Sequence, residues 1–300
     1  MTSVAVLGAG GVGGFVAAAL ERSGADVVVV ARPDTAATLT AGGFAVTSRA
    51  LGDFTARPRV STELSDAADV LLVATKANGL AAALERIRAT PGLVVPLLNG
   101  IDHLELLRDR FGADRVAAAV IRIESDRPAD GIIVQASPAA RVDMASARDQ
   151  LRPRLDAVAD VLRGAGLEAR IGDSESNVMW SKLARLCALA LTTSASDRPL
   201  GYVRSDPRWR SALEGAVNET VAVANADGAS LHAQDTLAEL KDAHAELGSS
   251  MQRDIAAGRE PELDAIAGAV LRAAQRHGLR CPTVQWLAER VAVRAAAAAA

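Results

Sequence analysis

The sequence predicts an α/β fold over residues 1–172, a doubly wound and mostly parallel sheet, followed by an all-helical domain over residues 173–300. Three observations carry this. Continuous apolar, β-branched runs alternate with helical stretches through the first part, the pattern of parallel strands buried on both faces. A glycine-rich turn joins the first such run to the first helix. From Ser174 onward no β-branched run of strand length follows, and helical periods dominate. A chain of 300 residues suits about two domains, each with its own core.

Taken in order, SVAVLG, DVVVVA, DVLLVAT and LVVPLLNG read as buried strands. VGGFVAAALERSG, GLAAALERIRA and IDHLELLRDRF read as helices among them. RVAAAVIRIES, GIIVQASP and ARVDMA add strands of mixed direction; QLRPRLDAVADVLRGAG is a helix, and LEARIGD a last strand and turn. The second domain reads as helices over 176–194, 206–227, 233–247, 250–257, 261–277 and 283–298. Gly258 and Gly278 stand where left-handed C-caps belong. Pro261 stands at a first helical position and Pro282 just before the last helix.

Composition narrows the function. Half the residues are hydrophobic and 23% charged, as in a soluble globular protein. The net charge of −3 gives no basic surface for nucleic acid or membrane. Cys187 and Cys281 show no metal or redox spacing, which points to a reduced, cytoplasmic chain. The four histidines are scattered, so no metal is expected. No apolar segment reaches the ~18 residues of a membrane span, and the glycine-broken N-terminus does not read as a leader. The partner expected is a small molecule; a homodimer is left open.

The turn after SVAVL is Gly8-x-Gly10-x-x-Gly13, with Gly11 and Val12 inside it. Gly8 permits a tight turn, Gly10 lets a pyrophosphate approach, and Gly13 lets helix pack on strand; the helix N-terminus supplies N–H groups and positive dipole. This is the fingerprint of a Rossmann-type dinucleotide domain. An NAD site usually closes its second strand with an acid on the ribose 2′-hydroxyl. Here that strand runs into Arg32, whose guanidinium suits a 2′-phosphate and so favours NADP(H). Asp34, close by, keeps NAD in play, and a loop arginine facing only water is the plainer alternative.

Ligands of open parallel sheets lie beyond the strand carboxyl ends. Two more strands end in polar groups there, at Lys76 and at Asn99-Gly100. An Asn-Gly pair taken alone is an ordinary turn. The chain has 33 basic residues, of which Lys76, Lys182 and Lys241 are the lysines. Lys241 lies among charges and reads as solvated surface. Lys182 lies in NVMWSKLARLC, on a helix whose polar line is Ser181, Arg185, Ala188 and Thr192. It stands off that line, beside Met179 and Leu186. A desolvated ammonium gives up its proton more easily than one in water, as a general acid requires. It needs a counter-charge. The candidate is Glu262, in the first turn of the helix carrying Leu263, Ile266 and Val270. A carboxylate near a helix N-terminus also has a purely structural reading.

With GAGGVGG, ATK, LNG, WSKL and SSMQRDIAAGREPELDAIAGAV in this order, the chain resembles the ketopantoate reductase (2-dehydropantoate 2-reductase) family over nearly its whole length. The most specific stretch holds Gln252, Asp254, Gly258-Arg259 and Glu262-x-Asp264. The resemblance implies a helical domain like the C-terminal domain of 6-phosphogluconate dehydrogenase, and NADPH-dependent reduction of 2-dehydropantoate to pantoate, a step of pantothenate synthesis. It implies Lys182 as general acid, Glu262 on the substrate's hydroxyl end and Ser250 on its carboxylate. Lys76 and Asn99 would line the cofactor–substrate cleft. The chain departs from the family at Leu186, Ala190 and Ala267, where asparagines are usual. Leu186 and Ala190 are thereby candidates for reading the substrate. Loss of amides there favours a less polar substrate, so a same-fold reductase of another oxo acid or ketone is an alternative. A non-catalytic NADP(H) sensor would have no use for Lys182 and Glu262. A β-hydroxyacid dehydrogenase would carry asparagine at the position of Leu186.

Overall fold

The computed structural model describes residues 2–299. Among them the strands are β1 (Ser3–Leu7), β2 (Asp26–Val30), β3 (Phe44–Ser48), β4 (Phe54–Ala56), β5 (Arg59–Ser61), β6 (Val70–Val73), β7 (Leu93–Pro96), β8 (Ala118–Arg122), β9 (Ser125–Ala129), β10 (Ile132–Gln135), β11 (Arg141–Ala145) and β12 (Glu168–Ile171). The α-helices among them are α1 (Gly11–Arg22), α2 (Pro33–Gly42), α3 (Leu80–Leu84), α4 (His103–Phe111) and α5 (Arg152–Gly164). The main sheet is parallel throughout, in the order β5-β2-β1-β6-β7. Two smaller mixed sheets follow, β4-β3-β10-β9 and β12-β11-β8.

The apolar runs are continuous because the sheet is covered on both faces. Along β1, Val4 and Val6 enter one core cluster while Ala5 and Leu7 enter another. The same alternation splits Val70 and Leu72 from Leu71 and Val73 in β6. Side chains of a strand point alternately to its two faces, so the two clusters are its two faces. Each fully buried Val or Leu contributes ~1.5–3 kcal/mol.

Beyond these lie α6 (Glu175–Ser196), α7 (Leu200–Ser205), α8 (Pro207–Ala226), α9 (Ala233–Asp242), α10 (Ser250–Ala256), a π-helical turn (Asp264–Gly268), α11 (Ala269–Arg276) and α12 (Pro282–Ala299). Their core is built on α6, whose Trp180, Leu183, Ala184, Cys187, Ala188 and Leu191 are buried. Helix starts follow capping chemistry. The Asp206 side chain accepts from the N–H groups of Arg208 and Trp209, and the Ser249 hydroxyl accepts from that of Gln252 at 3.1 Å. The Glu219 carboxylate takes the N–H groups of Thr283 and Val284, both at 2.9 Å, at the start of α12. Gly258 and Gly278 have φ of 63° and 66°, in the left-handed region.

The structure differs from the sequence reading in identifiable places. Packing divides the chain between Val178 and Met179 rather than at Gly172, and it groups Asn99–Asp102 with the helices. The helix read over GLAAALERIRA stops at Leu84. Ile87 there pairs with Leu64, and Arg88 donates its N–H to the Leu64 carbonyl, so the backbone is claimed by a bridge. The helix read to residue 247 stops at Asp242. The Ala245 and Leu247 carbonyls accept instead from Gly201 and Leu200. The helix read from Pro261 begins only at Leu263 and passes through a π turn.

Candidate active site

The glycine turn is built by three separate constraints. Gly8 has φ of +104°, and a Cβ there would stand 2.9 Å from the Ala74 carbonyl oxygen. A Cβ on Gly13 would stand 2.0 Å from the Gly8 carbonyl oxygen, so only glycine lets α1 cross the end of β1 this closely. At Gly10 a Cβ would meet nothing within 4 Å, so the space above the turn is open. Gly11 faces β9: its Cβ would stand 2.5 Å from the Ser125 carbonyl oxygen, and the Ser125 hydroxyl donates to the Gly11 carbonyl at 2.8 Å. Val12 is half-buried. Helix α1 starts with no side-chain cap and no acid in its first turn, which leaves its terminal N–H groups and dipole available to an anion. These residues fit a dinucleotide's pyrophosphate.

Arg32 follows β2, is exposed, and opens α2 as its N-cap residue. Asp34 is exposed in the first turn of the same helix. Lys76 is exposed and precedes a short 3-10 turn, Ala77–Gly79.

In the helical unit the structure brings three predicted residues together. Lys182, half-buried on α6, donates from Nζ to Asn99 Oδ1 at 2.8 Å. Asn99 donates from Nδ2 to Glu262 Oε2 at 2.9 Å. The amide is thereby fixed end for end, its oxygen on the ammonium and its nitrogen on the carboxylate. The sequence reading made Glu262 the counter-charge of Lys182; the structure shows Asn99 bridging the two. Glu262 lies just before the helix, not in its first turn, and its carbonyl accepts from Ile266 at 3.2 Å. A half-buried ammonium beside an amide and a carboxylate can hold a proton donor where negative charge develops on an oxygen.

Ser250 is exposed at the start of α10, while its neighbour Ser249 is buried and meets Thr193 at 2.9 Å. Leu186 is half-buried on α6, one turn beyond Lys182. Ala190 and Ala267 are in the core, 0% and 1% exposed. Among the described residues no group of three His, Cys, Asp or Glu is placed to hold a metal, and no helix is long and apolar enough to cross a membrane. Burial pushes the Cys187 thiol up to about 12, which keeps it protonated.

Comparison with known proteins places the chain. Residues 4–148 match the family described as ketopantoate reductase PanE/ApbA, and residues 176–295 match its C-terminal counterpart. The chain belongs to the ketopantoate reductase family. It is an oxidoreductase. The 2-dehydropantoate 2-reductase of Caulobacter vibrioides is 30% identical over 94% of this chain and 95% of that one. The 2-dehydropantoate 2-reductase of Mycobacterium tuberculosis is 27% identical over 94% of each. Among solved structures, a 2-dehydropantoate 2-reductase of Geobacter metallireducens superposes with a TM-score of 0.88 at 27% identity, covering 97% of this chain and 99% of that one. A D-mandelate dehydrogenase solved with NADH and anilino(oxo)acetate has a TM-score of 0.91 at 20% identity over the whole of both chains. Its likeness is one of fold.

Sequence reasoning missed groups beside this set of residues. Asp102 and Arg272 carry no motif, and Gly100 was read only as the second half of a turn. A clue was present in the Asn-Gly-x-Asp run, since the turn must return Asn99 to a neighbour.

Proposed function

We propose that the chain reduces a 2-oxo acid to the 2-hydroxy acid with NADPH, and that 2-dehydropantoate, giving pantoate, is the first substrate to test. The observation that carries this is the bridged set Lys182–Asn99–Glu262 in a ketopantoate reductase family chain. A nicotinamide cofactor held by the turn Gly8 to Gly13 would supply a hydride to the carbonyl carbon. Lys182 meets the charge that builds on the carbonyl oxygen and delivers the proton that completes the hydroxyl. Asn99 keeps the Lys182 side chain aimed. Glu262 accepts from the substrate's hydroxyl end, and Ser250 donates to its carboxylate. Lys76 is assigned to the cofactor. The deciding experiment follows NADPH oxidation with 2-dehydropantoate and a panel of larger 2-oxo acids and ketones. Consumption of a 2-oxo acid supports the reading; oxidation with no member of the panel overturns it.

Arg32 supports the cofactor choice, since it stands exposed after β2 where an acid would mark NAD. NADPH should bind at least about ten-fold tighter than NADH, a difference of about 1.4 kcal/mol. Arg32→Ala should remove most of that gap in a fluorescence titration. Equal affinities in the unmodified protein would contradict it.

A second reading, a less polar 2-oxo acid, is favoured by Leu186. Of the three positions where the family has asparagine, this one alone is not closed into the core. Leu186→Asn should raise kcat/KM for 2-dehydropantoate relative to apolar oxo acids by about ten-fold, the size of a good hydrogen bond in a substrate pocket. An unchanged ratio removes Leu186 as the determinant. Ala190→Asn is a poor test, because an amide buried there without partners costs on the order of 2 kcal/mol in stability.

A further inference from the structure

We infer that Arg272 is a positioning residue for this reaction, acting through Asn99. The inference rests on the reading above that Lys182, Asn99 and Glu262 do the chemistry. Asn99 has little to hold it by its own sequence, because it opens a four-residue excursion, Asn99–Asp102, that packs with the helices. Gly100 has φ of +84°, and a Cβ on it would stand 2.3 Å from the Ala265 carbonyl oxygen, inside the π turn. The loop is therefore pressed against backbone on one side. On the far side Asp102 is gripped by Arg272, which donates Nη2 at 2.6 Å and Nε at 3.1 Å to the same oxygen, Oδ2.

The same guanidinium reaches back into the π turn. Its Nη1 donates to Asp264 Oδ1 at 2.7 Å, and Nη2 meets Asp264 Oδ2 and the Asp264 carbonyl at 3.2 Å each. Asp264 lies two residues after Glu262. One planar cation thus ties the end of the Asn99 loop to the segment that carries Glu262. A fork of rigid donors can hold two carboxylates in fixed relation, which a lysine cannot. Gly268 leaves room for it: a Cβ there would stand 2.4 Å from Asp264 Oδ1 and 2.9 Å from Arg272 Nη1. A π turn costs helix regularity and tends to occur at functional sites. Here it places the Ala265 carbonyl against Gly100 and Asp264 against Arg272 at once.

Arg272 and Asp102 are each 43% exposed and Asp264 85%, so the pairs add little to global stability. What they fix is where Asn99 sits. A displacement of about 1 Å at a reacting group can cost on the order of a hundred-fold in rate.

The test compares the unmodified protein with Arg272→Gln, Asn99→Ala and the double variant. Four readouts are taken: kcat, KM, NADPH affinity, and amide hydrogen exchange over residues 99–102. Arg272→Gln should lower kcat about ten- to thirty-fold, with KM and NADPH affinity changed less than about two-fold. On the Asn99→Ala background the same change should do nothing further, because Arg272 has then lost the group it positions. Exchange over 99–102 should quicken in Arg272→Gln while Tm barely moves. A kcat within about two-fold of the unmodified protein, or losses that multiply in the double variant, overturns the inference. If the unmodified protein reduces no carbonyl compound, the functional reading fails by itself, and exchange alone decides the clamp. Quickened exchange then supports it and unchanged exchange overturns it.

Discussion

Lys182→Ala is expected to lower kcat by roughly 10²–10⁴ while NADPH affinity stays within about two-fold, as loss of a proton donor and of local charge stabilisation requires. The glycine turn proposed to hold the cofactor belongs to the other unit, on β1 and α1. Lys182→Arg is expected to be nearly as damaging, because a guanidinium keeps its proton near neutrality. The pair separates chemistry from charge: near-full activity in the arginine variant would show that a fixed cation suffices. Removing Lys182 also takes a donor from the Asn99 oxygen, but the amide is only half-buried, so water can replace it. Lys241→Arg is the control. That residue is exposed on α9, and surface changes of this kind stay within about 0.5 kcal/mol.

The second large effect is expected at Gly13. Gly13→Ala forces a methyl group to within 2.0 Å of the Gly8 carbonyl oxygen and 3.0 Å of the Ala74 Cβ. Both contacts are with parts of the framework that cannot swing aside as a long side chain would. The turn must open or α1 must lift from β1. Overpacking of this kind costs about 2–3 kcal/mol, which for a domain of this size lowers Tm by roughly 5–10 °C. Dinucleotide affinity should fall by more than about a hundred-fold, since the terminal N–H groups of α1 move with the helix. Gly10→Ala is the contrast. Its Cβ enters open space, so Tm should hold while cofactor affinity falls, because the methyl group occupies room that the pyrophosphate needs. Calorimetry and fluorescence titration check both. A Gly10→Ala protein that binds NADPH normally would remove the pyrophosphate from that position.

The fold was legible where packing demands are uniform. Strands β1, β2, β6 and β7 are buried on both faces, so their composition announces them, and the long apolar circumference of α6 does the same. The edge elements were not legible. Strand β9, with sequence SDRPA, is polar and holds a proline; it is a strand because β10 is beside it and its Ser125 closes on Gly11. β4 and β5 have three residues each, too few for alternation to show. At the site, lysine scarcity singled out Lys182, and strand-end logic singled out Asn99. The bond between them joins positions 83 residues apart, and that of Asn99 with Glu262 positions 163 apart; no local spacing encodes either. The roles of Asp102 and Arg272 depend on a backbone irregularity, the π turn, that side-chain periodicity does not report.

Asn99–Asp102 packs with a segment that resumes only at Met179, and the chain returns at His103 to the unit it had left. The helical part is therefore not a contiguous module. A fragment beginning at Met179 would inherit Lys182, Glu262 and Arg272 but neither the amide that bridges the first two nor Asp102, one of the two carboxylates that the third grips. A gene fusion or domain exchange cut at that point would transplant Lys182 without the amide it donates to. Recombination that keeps the Lys182–Asn99–Glu262 set together must carry the four residues Asn99–Asp102, which follow β7, along with the helices.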